Sequence, residues 1–292
     1  MFYLLLASFL WGTSFIAGKF AYEMASPEIV VVMRLCIASV VMLPITYRLI
    51  SSGEVLGTLP WKKIALLGVL TFPITFMLQF LGLRYTSAAS AATMIGVEPL
   101  MVLLIGVLFF KERVSPIFFG LGTVAFLGVA LVVGIADDPD VSLKGCLLVL
   151  TSTIVVAIWL RCSKQILGIV DAKIYTALSM QLGTLLGVPF ILLFNTQWQV
   201  VPSISGVMSI LYLGVGCSLL AGWFWNKGLE RTSANTSGIF LALEPVFGVV
   251  MAVILLNENL TITMLIGIVL VVVAAGVSMI LSKGAQDKPQ RE

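Results

Sequence analysis

The feature that most constrains this chain is a series of apolar runs, each about 18 residues or longer, between the first residue and about position 282. Such runs match the hydrocarbon layer of a bilayer, which about 20 helical residues cross. The sequence is 60% hydrophobic and 11% charged, whereas soluble domains are roughly 45–50% apolar and 25% charged. Because a lipid-exposed backbone must satisfy its own hydrogen bonds, the runs predict membrane-spanning helices.

Polar breaks divide the sequence into ten predicted spans, so the fold class expected is an all-α integral membrane protein. The breaks contain turn and loop residues, as at Ser26-Pro27 and in the acidic stretch Asp137 to Asp140. The first run lacks a preceding basic segment and is predicted to be a span rather than a cleaved signal peptide. The spans lie near residues 2–22, 27–50, 62–83, 87–110, 116–136, 143–162, 172–194, 206–228, 233–256 and 262–282.

Lys and Arg residues outside the spans are distributed unequally between the two sides of the membrane. With a cytoplasmic N-terminus, thirteen of them fall on the cytoplasmic side and two, Arg84 and Lys144, on the other. Cytoplasmic loops are enriched in Lys and Arg. The sequence therefore predicts a multi-pass protein of a cell inner membrane, with both termini in the cytoplasm.

An internal repeat relates the two halves of the sequence. A shift of 146 residues places Gly228 to Ala234 over Gly82 to Ala88 and Glu244-Pro245 over Glu98-Pro99. Each copy contains five predicted helices, and an odd number inverts the second copy in the membrane, as in transporters whose substrate site lies between two such repeats. The predicted units are a first repeat over 1–136, an external linker over 137–142, a second repeat over 143–283 and a cytoplasmic tail over 284–292.

Four charged residues lie inside the predicted spans: Lys19, Arg34, Glu98 and Glu244. An unpaired charge at a helix centre costs about 2.5–3.5 kcal/mol on the insertion scale, so each needs a partner, water or a route to the interface. Lys19 is one turn from a helix end, and two interpretations remain open for it: reaching the interface beside Glu23, or bending into a cavity. Arg34 is deeper, and we expect it to hold an anionic substrate group or a neighbouring helix.

Glu98 and Glu244 are the deepest of the four charges, and a proline follows each of them. That proline predicts a helix kink beside a free backbone carbonyl. One interpretation is structural, with each carboxyl bonded to a neighbouring helix at the kink. The other is functional, with one or both carboxyls handling the solute or gating transport by protonation.

Uncharged polar and aromatic residues supply the other candidates for substrate binding. A cavity with apolar walls and a few amides suits a small organic ligand. Trp11 is near mid-span, and Trp159 corresponds to it in the second copy at a slightly larger offset. Trp223 and Trp225 are predicted to lie in the interfacial aromatic belt. The candidate set is Trp11, Gln79, Trp159, Gln181 and Asn226, together with the four charges.

These motifs resemble the EamA-type members of the drug/metabolite transporter superfamily, over nearly the whole chain. The resemblance is carried by Leu10 to Gly12, Arg34, the two Glu-Pro pairs and the acidic turns at Phe110 to Glu112 and Leu256 to Glu258. It implies ten helices in two inverted EamA repeats that move metabolites such as amino acids. The sequence departs from the pattern at Trp159-Leu160, where the glycine that follows Trp11 has no counterpart, so we expect the two halves to line the cavity unequally.

The function expected from these features is secondary transport of a small organic metabolite by alternating access, with efflux as the expected direction and protons as the candidate coupling ion. The competing classes are an intramembrane enzyme and a channel or structural membrane subunit. The sequence has no histidine and no phosphate-binding loop, which argues against metal chemistry and ATP hydrolysis. We therefore expect no enzymatic activity, cofactor, metal or nucleic acid, and as partners the lipid bilayer, a small-molecule substrate and protons.

Overall fold

The computed structural model of the protein consists of helices joined by turns and short irregular segments in the residues that it describes. Within them, the one extended pairing is an isolated antiparallel bridge between Ala25 and Val200. The external linker predicted at 137–142 falls almost entirely outside this part of the chain, as do Glu112, Glu258 and the last residues of the predicted tail. The described ranges are 1–51, 59–111, 116–134, 142–195, 197–232, 234–241, 243–257 and 260–286.

Seven helical stretches in the described ranges are long and apolar enough to cross a membrane. They confirm the prediction of an all-helical membrane protein. Their limits differ by a few residues from the predicted ones, mainly because the sixth and eighth predicted spans are longer in the structure. The seven stretches are Phe2–Ala21, Pro27–Ser51, Trp61–Arg84, Ala88–Phe110, Leu143–Ile166, Ala172–Leu193 and Ile204–Glu230.

Several of these stretches consist of shorter helices placed end to end. Two π-helical segments, Leu70–Ile74 and Tyr212–Leu220, join α4 to α5 and α11 to α12. The α-helices are α1 Phe2–Gly12, α2 Ser14–Ala21, α3 Pro27–Ser51, α4 Trp61–Val69, α5 Thr75–Arg84, α6 Ala88–Ile95, α7 Glu98–Phe110, α8 Ile117–Gly134, α9 Leu143–Ile166, α10 Ala172–Phe194, α11 Ile204–Leu211, α12 Ala221–Glu230, α13 Ala234–Leu241, α14 Glu244–Leu256 and α15 Ile262–Gln286.

The internal repeat is visible in the helix boundaries. The limits of α5, α6 and α7 reappear in α12, α13 and α14 at the same offset that relates Glu98 to Glu244. Both α7 and α14 end at a residue in the left-handed conformation, Lys111 with φ 54° and Asn257 with φ 52°. Non-glycine residues rarely adopt this conformation, so its recurrence at matching positions is specific to the repeat.

The helix that contains Glu98 is interrupted where the sequence predicted a kink. Backbone N–H groups of Gly96 and Val97 donate to Thr93 and Met94, three residues back, at 3.0 and 3.3 Å. These shorter-range bonds end α6, and α7 begins at Glu98. Pro99 lies in the first turn of α7, where its missing N–H would have no partner within the helix in any case. In the second half, α13 and α14 are separated in the same way before Glu244.

Helices of the first half pack against helices of the second half, so the buried core of the protein lies between the two halves. Helix α5 packs against α9, and its repeat partner α12 packs against α1, while α6 contacts α14 and α8 contacts α15. The α5–α9 crossing is close because glycines face each other: a Cβ added to Gly82 would lie 2.8 Å from the carbonyl oxygen of Gly145. Small residues at such crossings let membrane helices approach through their backbones.

Substitution of Gly82 by alanine is expected to destabilise the fold by about 1–3 kcal/mol, the usual cost of overpacking. The new methyl group would also meet Val149 Cγ2 at 2.6 Å, so a backbone or a side chain must shift. The measurement is the apparent melting temperature of the purified protein in detergent. Gly120→Ala is the matched control, because a Cβ there meets no described atom within 4 Å. Equal melting temperatures for the two variants would contradict the close α5–α9 crossing.

Candidate functional site

A central cavity lies between the two halves of the helical bundle. Its empty volume is about 710 Å³, counting the open space at its mouth. Six of the nine candidates from the sequence line it: Trp11, Gln79, Glu98, Trp159, Asn226 and Glu244. The other lining residues are Ser14, Phe15, Thr71, Phe72, Thr75, Phe76, Ile95, Val156, Ser179, Ser218, Gly222 and Leu241.

The two carboxylates of the cavity each stand at the first residue of an interrupted helix. Glu98 begins α7 and is 2% exposed, and Glu244 begins α14 and is 4% exposed. A helix N-terminus carries a partial positive charge and unpaired N–H groups, which stabilise a nearby anion. Oε1 of Glu244 is buried without a hydrogen-bond partner among the described residues. This oxygen is available to a solute or a proton.

A close backbone approach places Glu244 beside the first helix. Gly12, the last residue of α1, leaves room for the Glu244 carbonyl, which would be only 2.5 Å from a Cβ at that position. Gly248, one turn further along α14, faces the Gly12 carbonyl in the same manner. The glycine after Trp11 therefore has a packing function at this crossing, and it brings Trp11 and Glu244 to the same cavity.

Three tryptophans form an aromatic cluster at the cavity. The ring centroid of Trp11 is 5.2 Å from that of Trp225 and 6.4 Å from that of Trp159, and the Trp159–Trp225 distance is 6.5 Å. Nε1 of Trp11 donates to the carbonyl oxygen of Cys217 at 2.9 Å, which fixes its ring. The predicted belt position is wrong for Trp225, which is fully buried in the structure. Trp223 is half-buried and contacts the ring of Tyr3.

Two helical stretches that are rich in polar residues complete the wall. Thr71, Thr75 and Gln79 follow one another at four-residue spacing, as do Ser218, Gly222 and Asn226 on the equivalent stretch of the second half. Residues four apart share a helix face. The sequence interpretation named only Gln79 and Asn226, although the same spacing in the sequence indicated their neighbours.

The amide of Asn226 is held in place by one hydrogen bond. Its Nδ2 donates to Thr176 Oγ1 at 2.9 Å, while its Oδ1 is buried and has no partner among the described residues. This oxygen is an acceptor on a residue that lines the cavity. It can accept a hydrogen bond from an N–H or O–H donor of a solute.

Both π-helical segments contribute to this wall, through Thr71 and Phe72 in the first half and Ser218 in the second. In or next to each segment, a hydroxyl donates to the carbonyl five residues back: Thr75, which follows the first segment, to Leu70 at 2.8 Å, and Ser218 to Leu213 at 2.8 Å. π-Helical turns occur frequently at functional sites. Their presence in equivalent helices places the irregular backbone of both halves at the cavity.

Three candidates from the sequence do not line the cavity. Nζ of Lys19 donates to the backbone carbonyl of Thr86 at 2.7 Å, just beyond the end of α5. Gln181 lies between helices and donates to the Ser39 carbonyl at 2.9 Å. Arg34 is buried behind the wall and donates from Nε to Ser218 Oγ at 2.9 Å.

The contact made by Lys19 has a counterpart in the second half. Nζ of Lys164 donates to the carbonyls of Leu229 and Glu230 at 2.8 and 3.1 Å, at the end of α12. Because α12 is the repeat partner of α5, the two lysines cap equivalent helix ends. A cationic side chain is favourable at a helix C-terminus, so the observed contact of Lys19 is with a helix end rather than with the cavity.

Among the described residues, no group of three or more His, Cys, Asp or Glu side chains is placed to hold a metal ion. The four cysteines are not joined by disulfides. The chemistry present at the cavity is that of two carboxyls, amides, hydroxyls and aromatic faces. This set suits binding of an organic molecule.

An internal repeat of apolar helices around a cavity that holds two carboxyls and a few amides and hydroxyls defines the class: these are features of membrane transporters. Residues 1–134 and 143–280 each match the model of the EamA-like transporter family. The chain therefore belongs to that family, and it is a membrane transporter. The resemblance inferred from the sequence is confirmed.

Individual relatives agree with this assignment. An uncharacterized transporter of Haemophilus influenzae is 43% identical over 141 residues, which cover 47% of this chain and 83% of the relative. An uncharacterized transporter of Archaeoglobus fulgidus is 27% identical over 261 residues, covering 88% and 90% of the two chains. A protein of known crystal structure aligns over 98% of both chains with a TM-score of 0.72 and 18% identity, which shows a shared fold.

Proposed function

We propose that this chain is a secondary transporter that carries a small organic solute, an amino acid or a related compound, by alternating access. The observation that carries the proposal is the central cavity, where the Glu-Pro motif of each half contributes a buried carboxylate. In transporters with inverted repeats, interrupted helices build the substrate site at the repeat interface. Glu98 and Glu244 stand at such interruptions.

The proposed membrane topology has ten spans, five from each of two inverted repeats over 1–136 and 143–283. Helices α8 and α15 supply two spans beyond the seven long stretches, and α13 with α14 supplies the tenth. The combination of α13 and α14 is the repeat equivalent of Ala88–Phe110, which is itself long enough to span. The excess of Lys and Arg on one side supports an inner-membrane orientation with both termini in the cytoplasm.

The cavity chemistry supports a substrate with a cationic nitrogen and a small apolar part. Glu98 and Glu244 offer negative charge, and the faces of Trp11 and Trp159 attract cations and pack against apolar groups. The Oδ1 of Asn226, which has no partner among the described residues, can accept a hydrogen bond from the solute. Because the same carboxyls can bind either a proton or a solute cation, they also support proton coupling.

Contacts at both ends of the bundle support alternating access. Where α2 and α10 end, the N–H of Val201 donates to the Met24 carbonyl at 2.9 Å, next to the Ala25–Val200 bridge. At the opposite end, an apolar cluster that contains Leu4 and Leu229 buries the space between α1 and α12. Each closure joins the first half to the second, so opening of one end requires the halves to separate there.

The test is solute flux in proteoliposomes that contain the purified protein, with labelled amino acids and related metabolites and with or without a pH gradient. We expect saturable flux of a particular solute, and export as the physiological direction, from a higher rate when the cytoplasmic face is loaded. Folded, correctly inserted protein without flux across a broad panel would contradict the proposed function.

A further inference from the structure

The guanidinium of Arg34 is buried and only partly hydrogen-bonded within the described residues. Arg34 is 1% exposed, and only its Nε has a hydrogen bond, to Ser218 Oγ. Nη1 and Nη2 are buried and have no hydrogen-bond partner in the described part of the chain. A buried cation without a paired anion is strongly destabilising, so chains retain one where it performs a function.

Aromatic stacking compensates only part of this cost. Cζ of Arg34 is 3.8 Å from the ring centroid of Phe76 and 4.9 Å from that of Phe80. A ring stacked on a guanidinium meets its face, whereas the N–H groups point outward in its plane. The stacking therefore fixes the orientation of Arg34 and leaves the four N–H donors of Nη1 and Nη2 available.

The second buried arginine of the bundle interior shows what a structural arginine looks like in this fold. Arg161 is 5% exposed, and both its Nε and its Nη2 donate to the Val102 carbonyl, at 3.1 and 3.0 Å. That contact joins α9 to α7, and two nitrogens of the guanidinium share one backbone carbonyl as their acceptor. Nε of Arg34 also joins two helices, through Ser218, but its Nη1 and Nη2 have no acceptor among the described residues, so a role in joining helices does not account for these two groups.

Arg34 is adjacent to the central cavity. Phe76, which stacks on its guanidinium, and Ser218, which bonds its Nε, both line that cavity. Only one layer of side chains therefore separates the free N–H donors from the cavity. Ser218 belongs to the π-helical segment Tyr212–Leu220, whose wider hydrogen-bond pattern is typical of functional positions in helices.

We infer that Arg34 forms an anion-binding subsite at the back of the cavity, which takes a carboxylate of the transported solute through Nη1 and Nη2. A planar guanidinium matches a carboxylate in a two-point, charge-assisted contact. The inference rests on the proposed function and deepens it: because Glu98 and Glu244 line the same cavity, the solute class is a compound with both a cationic nitrogen and a carboxylate.

The test measures how tightly the purified protein binds pairs of probes. The two members of each pair differ only in their negative charge. The probes are amino acids, hydroxy acids and dicarboxylates, each with its amide, and binding is followed by tryptophan fluorescence or thermal shift. We expect the wild-type protein to bind at least one acid about 30-fold more tightly than its amide, as a hydrogen-bonded ion pair allows. In Arg34→Gln, this preference is expected to fall to about threefold or less.

Two further variants keep the test informative if Arg34→Gln does not fold. Arg34→Lys retains the charge but lacks the fork, and its preference is expected to be intermediate. Arg161→Gln is the matched control, which is expected to lower thermal stability while keeping the preference for the acid. Chloride is added as a competitor, because loss of the preference in chloride identifies an inorganic-anion site rather than a solute subsite.

Three results would overturn the inference: a preference for acids that survives in both Arg34 variants, no binding of any acid by the wild-type protein, or an inorganic-anion site. Each of them leaves the proposed function testable by flux. Transport of neutral or purely cationic solutes would then identify a transporter without a carboxylate subsite. Absence of flux for every solute would instead count against the proposed function itself.

Discussion

Substitution of Glu244 by glutamine is expected to lower solute flux at least about tenfold and to remove its dependence on an imposed pH gradient. Glutamine keeps the size of the side chain but can neither bind a proton nor carry a charge. In the structure, Glu244 lines the cavity, is 4% exposed and has an Oε1 without a hydrogen-bond partner among the described residues. A hydrogen bond to an ionised group is worth about 1.5–3 kcal/mol, and 1.4 kcal/mol corresponds to tenfold in an equilibrium constant.

The experiment compares initial flux in proteoliposomes at several internal and external pH values. Glu98→Gln tests the equivalent carboxyl of the first half in the same way. Glu230→Gln is the control carboxyl, because Glu230 lies outside the cavity and pairs with Lys227 at 2.8 Å. We expect it to retain wild-type flux. A Glu244→Gln protein that folds normally and keeps the wild-type pH dependence would show that Glu244 is structural.

The all-helical fold and its repeat could be predicted from sequence because both depend on signals local to the chain. Apolar runs indicated spans, and the recurrence of the Glu-Pro motif indicated the repeat that the helix limits of α7 and α14 confirm. The helix interruptions were harder to predict. Proline specifies a disturbance, but whether a helix bends or restarts depends on the packing of its neighbours, such as the contact of Gly12 with Glu244.

The candidate site was predicted in part. Glu98 and Glu244 were identified because a buried carboxyl is costly at any position in a span, and this cost is independent of the fold. The position of Trp225 could not be predicted, since an aromatic residue near a helix end suits either an interface or a core. Only the crossing of α12 with α1 buries it against Trp11. Arg34 was recognised as deep, but its stacking on Phe76 depends on long-range packing.

At one end of the cavity, the two halves are joined by the contact between Ala25 and Val200. A disulfide introduced at these two positions would keep this end closed. Ala25 and Val200 form an antiparallel bridge between the two halves, and Ser205 Oγ donates to Glu23 Oε2 nearby at 2.6 Å. Paired residues on antiparallel strands have Cα atoms about 4.5–5.5 Å apart, within the range of about 4.4–6.8 Å found for disulfides. If transport requires the halves to separate at this end, a cross-link here must stop it.

The double substitution Ala25→Cys and Val200→Cys is therefore expected to reduce flux at least about tenfold after oxidation, with recovery on reduction. The pair is introduced in a variant that retains flux after alanine replaces its four native cysteines. Each single substitution, oxidised in parallel, controls for modification of a lone thiol. Failure of the pair to cross-link would contradict the observed contact. A fully cross-linked protein with unchanged flux would show that this end stays closed throughout transport, because a covalent bond of about 2 Å between the sulfurs permits no separation of the two backbones.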